Sequence, residues 1–320
     1  MNESVLKLNT HDPRDDHLLE EILSGLNQEQ KELPCKLFYD KKGSELFDKI
    51  TALPEYYPTR TEIEIIESNI EEISACIGKN SLLVELGSGS SIKIRLLLGG
   101  LKEISAYVPL DISYSHLIES TNALSKDFKQ IKIIPLCVDY TKPFTFPDFD
   151  FEWGKIVVFY PGSTIGNFHP AYARKFLGNV AKRTGKGSGL LIGADLKKDK
   201  SVIENAYNDS RGVTAEFNLN ILYRLNSEIG FNFDTDKWEH SAVYNEKEGR
   251  IEMHLVSLTA QNVSHNGTRI FFEKDESIIT EYSYKYSLDE FEDLIKDYYR
   301  VQKVWVDSNR RFSLQYLSVI

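Results

Sequence analysis

The stretch Val84-Glu85-Leu86-Gly87-Ser88-Gly89-Ser90-Ser91 decides the fold of this chain. The apolar residues 82–84 lead into it and predict a buried strand, and residues 92–98 after it predict a helix. A strand that turns through glycines into a helix points backbone N–H groups at a ligand, and glycine lets the main chain approach that ligand without a Cβ. The stretch therefore predicts a nucleotide-type cofactor loop and leaves the class of nucleotide open.

Composition excludes several classes of partner. The chain has 320 residues, which suits one large domain or two domains. Its formal net charge of −10 argues against a nucleic-acid partner, because phosphate binding needs a basic surface. No run of 18 apolar residues and no basic-then-apolar leader appears, so we expect no membrane partner. The three cysteines are far apart and no histidines cluster, so we expect free thiols, a cytoplasmic location and no metal.

Strand and helix patterns alternate through the first half of the chain. Two prolines predict that residues 53–60 are extended, and Thr61-x-x-Glu64 is a capping-box pattern that predicts a helix start. Apolar runs then predict five strands, at residues 82–86, 106–110, 131–138, 156–159 and 190–194. Apolar strands separated by helices are typical of a parallel sheet that is covered on both faces.

The pattern changes after residue 195. A helix is predicted at residues 202–207, followed by runs of period-two alternation at residues 250–258, 268–272 and 278–286. Ser287-x-x-Glu290 then predicts a capped helix, and residues 301–306 and 312–320 predict a terminal hairpin at the sheet edge. We therefore expect one domain formed by residues 61–195 and 287–320, and a second formed by residues 1–60 and 196–286.

The residues alone leave the cofactor class open. Ile92 stands where the third glycine of G-x-G-x-x-G belongs, so the dinucleotide fingerprint is incomplete. Asp111 ends the second strand, the usual place of an acid that binds a ribose diol, and either class of nucleotide would use it. Asp139 ends the third strand, and the alternative role of both acids is capping or solvation of a loop. The terminal hairpin is similar to the seven-stranded sheet of S-adenosylmethionine-dependent methyltransferases and unlike that of most dehydrogenases.

Six longer motifs lie between about residue 33 and the C-terminus. They are Phe38-Tyr39-Asp40, Leu53-Pro54-Glu55-Tyr56-Tyr57-Pro58-Thr59-Arg60-Thr61-Glu62, Glu85-Leu86-Gly87-Ser88-Gly89, Gly162-Ser163-Thr164-Ile165-Gly166-Asn167, Gly212-Val213-Thr214-Ala215 with Phe217-Asn218, and Ile251-Glu252-Met253. Together they resemble the L-histidine Nα-methyltransferases of ergothioneine biosynthesis. The resemblance implies an α/β protein with a Rossmann-like, seven-stranded class I methyltransferase sheet. It also implies a second, α+β substrate-binding lobe formed by the N-terminal segment and the insertion.

The resemblance further implies an activity and a set of site residues. The cofactor is S-adenosylmethionine, and the activity is Nα-methylation of L-histidine, with trimethylation to hercynine as the first step of ergothioneine biosynthesis. The expected catalytic residues are Tyr39, Asn167 and Tyr207. The amino-acid head is expected to contact Tyr56, Gly162, Thr164, Asn167 and Tyr207, and the imidazole Tyr39, Phe47, Met253, Glu281 and Ser283. The cofactor is expected to contact Gly87, Ser88, Gly89, Lys93, Asp111, Asp139 and Tyr140, where Tyr140 departs from the phenylalanine expected beside the adenine.

The predicted strand around Glu281 is chemically suited to an imidazole. Side chains alternate along a strand, so Glu281 and Ser283 share one face, about 7 Å apart. The carboxylate accepts from one ring N–H, while the hydroxyl donates to or accepts from the other nitrogen. The alternative is a half-exposed polar strand face, and Met253 has an equally plausible role as a core residue. No dedicated base for the α-amine stands out, so we expect the proton to leave to solvent or through Tyr39 or Tyr207.

Three other functions remain open at this stage. The first is N-methylation of a tryptophan-like or other aromatic amine, against which Glu281 argues, because a buried carboxylate without a polar partner is costly. The second is an NAD-dependent dehydrogenase, against which Ile92 and the terminal hairpin argue. The third is a non-catalytic binding module. For the oligomeric state we expect a monomer.

Overall fold

The computed structural model describes residues 16–89, 92–101 and 103–320, so Ser90 and Ser91 of the glycine turn and the first part of the N-terminal segment lie outside the described residues. The helices are α1 (Asp16–Leu26), α2 (Lys41–Thr51), α3 (Tyr57–Ser68), α4 (Ile70–Ile77), α5 (Ile92–Gly100), α6 (Tyr114–Asp127), α7 (Pro170–Thr184), α8 (Lys200–Tyr207), α9 (Val213–Arg224) and α10 (Leu288–Ile295). The strands are β1 (Lys31–Glu32), β2 (Ser81–Leu86), β3 (Ala106–Asp111), β4 (Leu136–Cys137), β5 (Lys155–Tyr160), β6 (Gly189–Asp195), β7 (Trp238–Asn245), β8 (Arg250–Ser257), β9 (Gln261–His265), β10 (Thr268–Phe272), β11 (Ser277–Tyr284), β12 (Tyr299–Val306) and β13 (Phe312–Val319).

The described residues divide into two compact units. The first unit contains Pro58–Leu196 and Tyr286–Ile320. The second contains the described residues up to Tyr57 together with Lys197–Lys285. Among the helices of the described part of the chain, none is long and apolar enough to cross a membrane.

A seven-stranded sheet forms the centre of the first unit. Its strand order is β12-β13-β6-β5-β2-β3-β4. Strands β2 to β6 pair in parallel, while β13 runs antiparallel to both β6 and β12. All six residues of β2 and all seven of β6 are buried, which explains their unbroken apolar character. The predicted α/β class and the terminal hairpin are confirmed.

The order of the strands creates a switch point in this sheet. From β2 the chain runs outward through β3 and β4, then returns to place β5 on the other side of β2. The carboxyl ends of β2 and β5 therefore lie side by side at the point where the strand order reverses, which is where open α/β sheets bind ligands. The glycine turn follows β2, and the segment Pro161–Asn167 follows β5, so the topology brings both motifs to this edge.

Three local predictions are wrong. The first is that residues 53–60 are extended, because residues 57–60 form the first turn of α3. Thr61 does not cap a helix, because α3 already begins at Tyr57 and carries Pro58 in its first turn, where a missing N–H costs nothing. Helix α3 ends at Ser68, and α4 begins at Ile70, directly after Asn69. The third strand is much shorter than residues 131–138, since β4 holds only Leu136 and Cys137. The capping box at Ser287 and Glu290 is confirmed.

The second unit combines helices with a four-stranded sheet. The sheet has the order β1-β11-β8-β7, and β9 and β10 form a separate hairpin. Buried side chains alternate along β8, where Ile251, Met253 and Leu255 face the core of this unit. In the register of β8 and β11, Met253 lies opposite Glu281 and Ile251 opposite Ser283, so these four residues share one face of the sheet.

Candidate functional site

The glycine turn after β2 is held by its neighbour strand. Gly87 has a φ of 76°, a conformation that favours glycine, and its N–H donates to the Leu110 carbonyl at 2.9 Å. The Ser88 N–H donates to the same oxygen at 3.2 Å. A Cβ added at Gly89 would meet no atom within 4 Å, so open space lies beside the main chain there. The turn fits a ligand that approaches the backbone closely, as a nucleotide cofactor does.

Two acids and one aromatic ring accompany the turn. The Asp111 carboxylate accepts from the Ser113 N–H at 2.8 Å, and burial raises the pKa of this carboxyl. The Asp139 carboxylate accepts from the Thr141 N–H at 3.0 Å and from its hydroxyl at 2.5 Å. The Tyr140 hydroxyl lies 3.4 Å from the position of a Cβ added at Gly87, so Tyr140 belongs to the surroundings of the turn. Both acids therefore brace their own loops, and each has a second carboxylate oxygen or lone pairs left for a ligand.

A buried carboxylate lies beneath the turn. Glu85 is 3% exposed and accepts a hydrogen bond from the Tyr107 hydroxyl of β3. Burial raises the pKa of Glu85 to about 8, although the Tyr107 hydrogen bond and the charge of Lys93 lower it. Glu85 thus connects β2 to β3 from inside the sheet and does not reach a surface ligand.

A second buried acid, Glu62 of α3, was missed by the sequence analysis. It is fully buried and lies 2.6 Å from the Lys93 ammonium of α5. Its two carboxylate oxygens also accept from the Gly162 N–H, at 2.9 and 3.1 Å. A Cβ at Gly193 of β6 would lie 2.2 Å from the same carboxylate, so glycine is required there. Glu62 therefore fixes two predicted site residues, Lys93 and Gly162, at the end of the sheet.

The segment after β5 carries Asn167 on a short 3₁₀ helix, Thr164–Asn167. Gly162 and Ser163 both have positive φ, at 77° and 57°, and the Ser163 hydroxyl accepts from the Asp195 N–H at 2.9 Å. The Thr164 hydroxyl donates to the Pro161 carbonyl at 3.0 Å. Within the described residues no hydrogen bond uses the half-buried Asn167 amide, so its donors and its acceptor remain available to a ligand.

In the second unit, four of the predicted aromatic residues form one continuous row. Tyr39 meets Phe47 edge-on with ring centroids 6.1 Å apart, Phe47 meets Tyr56 at 6.2 Å, and Tyr56 meets Tyr207 at 6.2 Å. Tyr39, at one end, is 41% exposed, whereas Tyr56 and Tyr207 are buried. Phe217 of α9 lies behind Tyr39 and Phe47, at 6.4 and 6.0 Å. Aromatic rings from residues 39–56, from α8 and from α9 thus form one continuous surface.

Glu281 of β11 has an unusual environment for a carboxylate. Among the residues that the structure describes, none donates a hydrogen bond to it. Burial raises the pKa of Glu281 to about 7, although the positive charge of Lys285 lowers it. Its cross-strand neighbour Met253 is 1% exposed and lies in the core, so the core role for Met253 is compatible with a place beside the site. Glu281 is therefore a half-buried acceptor with capacity for a ligand N–H.

Ser283, Tyr207 and Lys285 form a triangle of polar atoms near Glu281. The Lys285 ammonium donates to the Ser283 hydroxyl oxygen at 2.9 Å and to the Tyr207 hydroxyl oxygen at 3.1 Å. The Tyr207 hydroxyl donates to Ser283 Oγ at 3.2 Å. All three residues are buried. Sequence reasoning missed Lys285, although the period of two that pairs Glu281 with Ser283 continues to position 285.

A β-bulge precedes Glu281 and is anchored from α9. The register of β8 and β11 shifts between Ile279 and Glu281, which leaves Thr280 as the extra residue. The Thr280 hydroxyl donates to the Asn218 side-chain oxygen at 2.6 Å, and the Asn218 amide donates to the His254 carbonyl at 3.0 Å. Asn218 is fully buried, so it holds the bulge that sets the direction of Glu281. The sequence motif Phe217-Asn218 contains this residue but does not indicate that it anchors the bulge.

The structure therefore gathers the predicted residues into two groups, one in each unit. The first unit contains Gly87, Ser88, Gly89, Lys93, Asp111, Asp139, Tyr140, Gly162, Thr164 and Asn167. The second unit contains Tyr39, Phe47, Tyr56, Tyr207, Met253, Glu281 and Ser283.

Comparison with known proteins identifies one matching family and several proteins of similar sequence. Residues 18–319 match the sequence model of the family described as histidine-specific, SAM-dependent methyltransferases. The chain is 40% identical over 280 residues to the histidine N-alpha-methyltransferase of Mycolicibacterium smegmatis, and the match covers 84% of each protein. It is 31% identical over 279 residues to ergothioneine biosynthesis protein 1 of Schizosaccharomyces pombe, covering 83% of this chain and 36% of that protein. It is 28% identical over 285 residues to the 4-dimethylallyltryptophan N-methyltransferase of Aspergillus fumigatus, covering 83% of each.

Proposed function

The chain belongs to the family of histidine-specific, S-adenosylmethionine-dependent methyltransferases, and from this premise we propose that it methylates the α-amino nitrogen of L-histidine. The proposed product is the trimethylated amino acid hercynine, which makes this the first step of ergothioneine biosynthesis. The observation that carries the choice of substrate is the pair Glu281 and Ser283 on one face of β11. The half-buried carboxylate of Glu281 and the buried hydroxyl of Ser283 suit the two nitrogens of an imidazole.

The first unit is the proposed cofactor-binding domain, and the second the proposed substrate-binding domain. The open space beside the main chain of the Gly87-Ser88-Gly89 turn would accommodate the amino-acid part of S-adenosylmethionine, with Lys93 beside it. Asp111, at the end of β3, would accept from the ribose hydroxyls. Asp139 and Tyr140 would bind the adenine, where the tyrosine ring offers the face that a phenylalanine would.

The proposed substrate contacts follow from donor and acceptor chemistry. Glu281 accepts from one ring N–H of histidine, Ser283 binds the other ring nitrogen, and Phe47 and Met253 supply apolar contact. Tyr56, Asn167 and Tyr207 bind the α-carboxylate and α-amine, and Gly162 and Thr164 lie next to Asn167 in the chain. The Asn167 amide suits both groups, since its nitrogen donates to a carboxylate while its oxygen accepts from an amine.

Catalysis in this proposal rests on positioning. When bound, S-adenosylmethionine supplies a methyl group already activated by a sulfonium, so the α-amine needs only a free lone pair and the right direction. Holding the two reactants in place accounts for up to about 7–11 kcal/mol of barrier reduction. Tyr39, Asn167 and Tyr207 orient the amine, and its proton leaves to solvent or through Tyr39 or Tyr207. The aromatic rings stabilise the developing cation by about 0.5–2 kcal/mol for each cation–π contact.

The proposal extends to the setting of the enzyme. Cys35, Cys76 and Cys137 are free thiols, which supports a reducing, cytoplasmic compartment. A monomer is the proposed oligomeric state, and size-exclusion chromatography with light scattering tests it.

Mass spectrometry of L-histidine incubated with S-adenosylmethionine and the protein tests the function. We expect a mass gain of three methyl units, passing through one and two. L-Tryptophan incubated in parallel is the control for the aromatic-amine alternative, and methylation of tryptophan without methylation of histidine would refute the proposed substrate. A product that stops at one methyl unit would refute trimethylation alone.

A further inference from the structure

Lys285 is a buried cation with no role in the function proposed so far. It directly follows β11, and its side chain is 2% exposed. Its main-chain N–H donates to the Gly249 carbonyl at 2.8 Å, which fixes the residue at the end of the strand. Glu281, Ser283 and Lys285 occupy alternate positions, and the ammonium reaches Ser283 Oγ at 2.9 Å. Burying an ammonium is costly, so its hydrogen-bond partners identify what it is there to control.

The ammonium fixes the direction of the hydrogen bonds around it. A lysine ammonium has three donors and no acceptor, so Ser283 Oγ and Tyr207 Oη must both accept from Lys285. The Tyr207 hydroxyl then donates its own proton to Ser283 Oγ at 3.2 Å. A serine oxygen has two lone pairs, and Lys285 and Tyr207 occupy both of them. The Ser283 hydroxyl proton is therefore left to be donated outside the triangle.

We propose that Lys285 is a specificity-determining residue, because it makes Ser283 an obligatory hydrogen-bond donor and so restricts the pocket to the neutral form of the imidazole ring. This inference rests on the proposed function, in which the histidine ring lies between Glu281 and Ser283. One ring nitrogen must then carry a proton for the Glu281 carboxylate, and the other must be an unprotonated acceptor for Ser283. The imidazolium form carries two N–H donors, and its second donor would meet the Ser283 proton and the nearby ammonium.

A pair of ligands with matched shape but different basicity tests this inference. L-Histidine and 3-(1,2,4-triazol-3-yl)-L-alanine both offer one ring N–H and at least one acceptor nitrogen, but the triazole ring stays neutral in mild acid. Their dissociation constants are measured by calorimetry at pH 5.5 and pH 8, in the presence of S-adenosylhomocysteine so that no turnover occurs. The titratable and charged groups around Glu281 and Ser283 are Tyr207, Lys285 and Cys35, the last of which is half-buried within the electrostatic range of Glu281. The ratio of the two constants removes the effect of groups that act on both ligands alike, and Glu281, which attracts imidazolium more than a neutral ring, is present in both wild type and Lys285→Met.

In the wild-type protein, the affinity for histidine relative to the triazole should fall about tenfold between pH 8 and pH 5.5. The reason is that only about a tenth of an imidazole with a pKa near 6.5 is neutral at pH 5.5. Lys285→Met keeps the buried aliphatic volume and frees a lone pair of Ser283 to accept from imidazolium. We expect the relative affinity in this variant to change by less than about threefold over the same range. Lys274→Met removes an exposed lysine of the same unit and should behave as wild type.

Ser283→Ala provides a second test that does not depend on the folding of Lys285→Met. Without the hydroxyl proton, the affinity for both ligands at pH 8 should fall about tenfold, the usual contribution of one hydrogen bond. The pH response of the ratio should remain, since the Lys285 ammonium still opposes imidazolium. A wild-type ratio that does not change with pH, a Lys285→Met ratio with the wild-type response, or a Ser283→Ala variant with wild-type affinities at pH 8 would overturn the inference. Failure of the wild-type protein to methylate histidine would instead refute the proposed function.

Discussion

Removing the charge of Glu62 should destabilise the first unit strongly, because Glu62 is fully buried and neutralises Lys93. The two charged groups are 2.6 Å apart, and the Lys93 side chain retains only 13% of its exposure. Glu62→Gln keeps an acceptor for the Gly162 N–H but leaves the ammonium without its counter-charge. Breaking a buried ion pair on one side costs about 3–5 kcal/mol. Since Lys93 has a short route to water, we expect the lower end, about 3 kcal/mol of unfolding free energy.

A double-mutant cycle separates the ion pair from the other contacts of Glu62. Glu62→Gln, Lys93→Met and the double variant are compared with wild type by urea unfolding, followed by tryptophan fluorescence. The double variant removes both charges, so no unpaired ion stays buried, and it should recover much of the loss. We expect a coupling free energy of about 2 kcal/mol.

A matched exposed pair in the same unit serves as the control. Lys79 and Glu103 are also 2.6 Å apart, but their side chains are 78% and 54% exposed. Glu103→Gln should leave the urea midpoint unchanged, because solvent screens such a pair. A Glu62–Lys93 coupling below about 0.5 kcal/mol, within the error of such cycles, would refute the claim that burial makes this pair matter.

Three further predictions concern the proposed substrate site. Asn167→Ala should lower turnover of histidine about 100-fold while leaving the calorimetric affinity for S-adenosylmethionine intact, since it affects the orientation of the substrate's α-amine and α-carboxylate and not the cofactor. Unchanged turnover would remove Asn167 from the site. The double variant Glu281→Ala, Met253→Val should lower kcat/KM for histidine by about 10- to 100-fold, because the ring N–H loses its charged acceptor. The preference should also shift toward tryptophan, because the smaller side chains leave more space. Competition between the two amino acids, followed by mass spectrometry, measures the shift. The raised pKa of Glu281, about 7, means that the folded state binds a proton more tightly than the unfolded state. Its contribution to stability is therefore present below about pH 4.5 and lost as pH rises to about 7, and Glu281→Gln should flatten this part of the pH–stability curve.

The sheet could be predicted from sequence because its strands are buried on both faces. Strands β2, β3, β5 and β6 read as mainly apolar runs, and each begins and ends within one residue of its predicted limits. Strand β4 has only two residues, and its apolar run is mostly a loop that follows the sheet edge. At Thr61 a capping pattern was present, but the helix began earlier because Pro58 fits a first turn. Local patterns therefore indicated the elements correctly where burial was uniform and failed at their ends.

The site was harder to predict because its geometry depends on contacts between distant parts of the chain. Nothing near Glu62 in the sequence shows that it meets Lys93 and Gly162, and an acid on a helix is usually solvated. Lys285 has the correct alternation, yet a lysine at a strand end normally extends into solvent. Asn218 lay inside a motif, but its bond to Thr280 becomes visible only when α9 packs on the sheet of its unit. The period of two predicted that Glu281 and Ser283 share one face of the strand. The direction of the hydrogen bonds around Ser283 became visible only in the tertiary structure.

The buried charges of this protein have a common physical explanation. A buried ion pair gives little net stability, since an apolar pair of similar volume stabilises a core equally well or better. The Glu62–Lys93 pair and the Glu281–Lys285 combination are therefore not needed for folding as such. Each places a group of fixed charge or fixed hydrogen-bond direction next to proposed ligand contacts, Gly162 in one unit and Ser283 in the other. Fixed direction suits the proposed catalysis by positioning, because the protein must then select and orient its substrate by the polarity of the groups it presents.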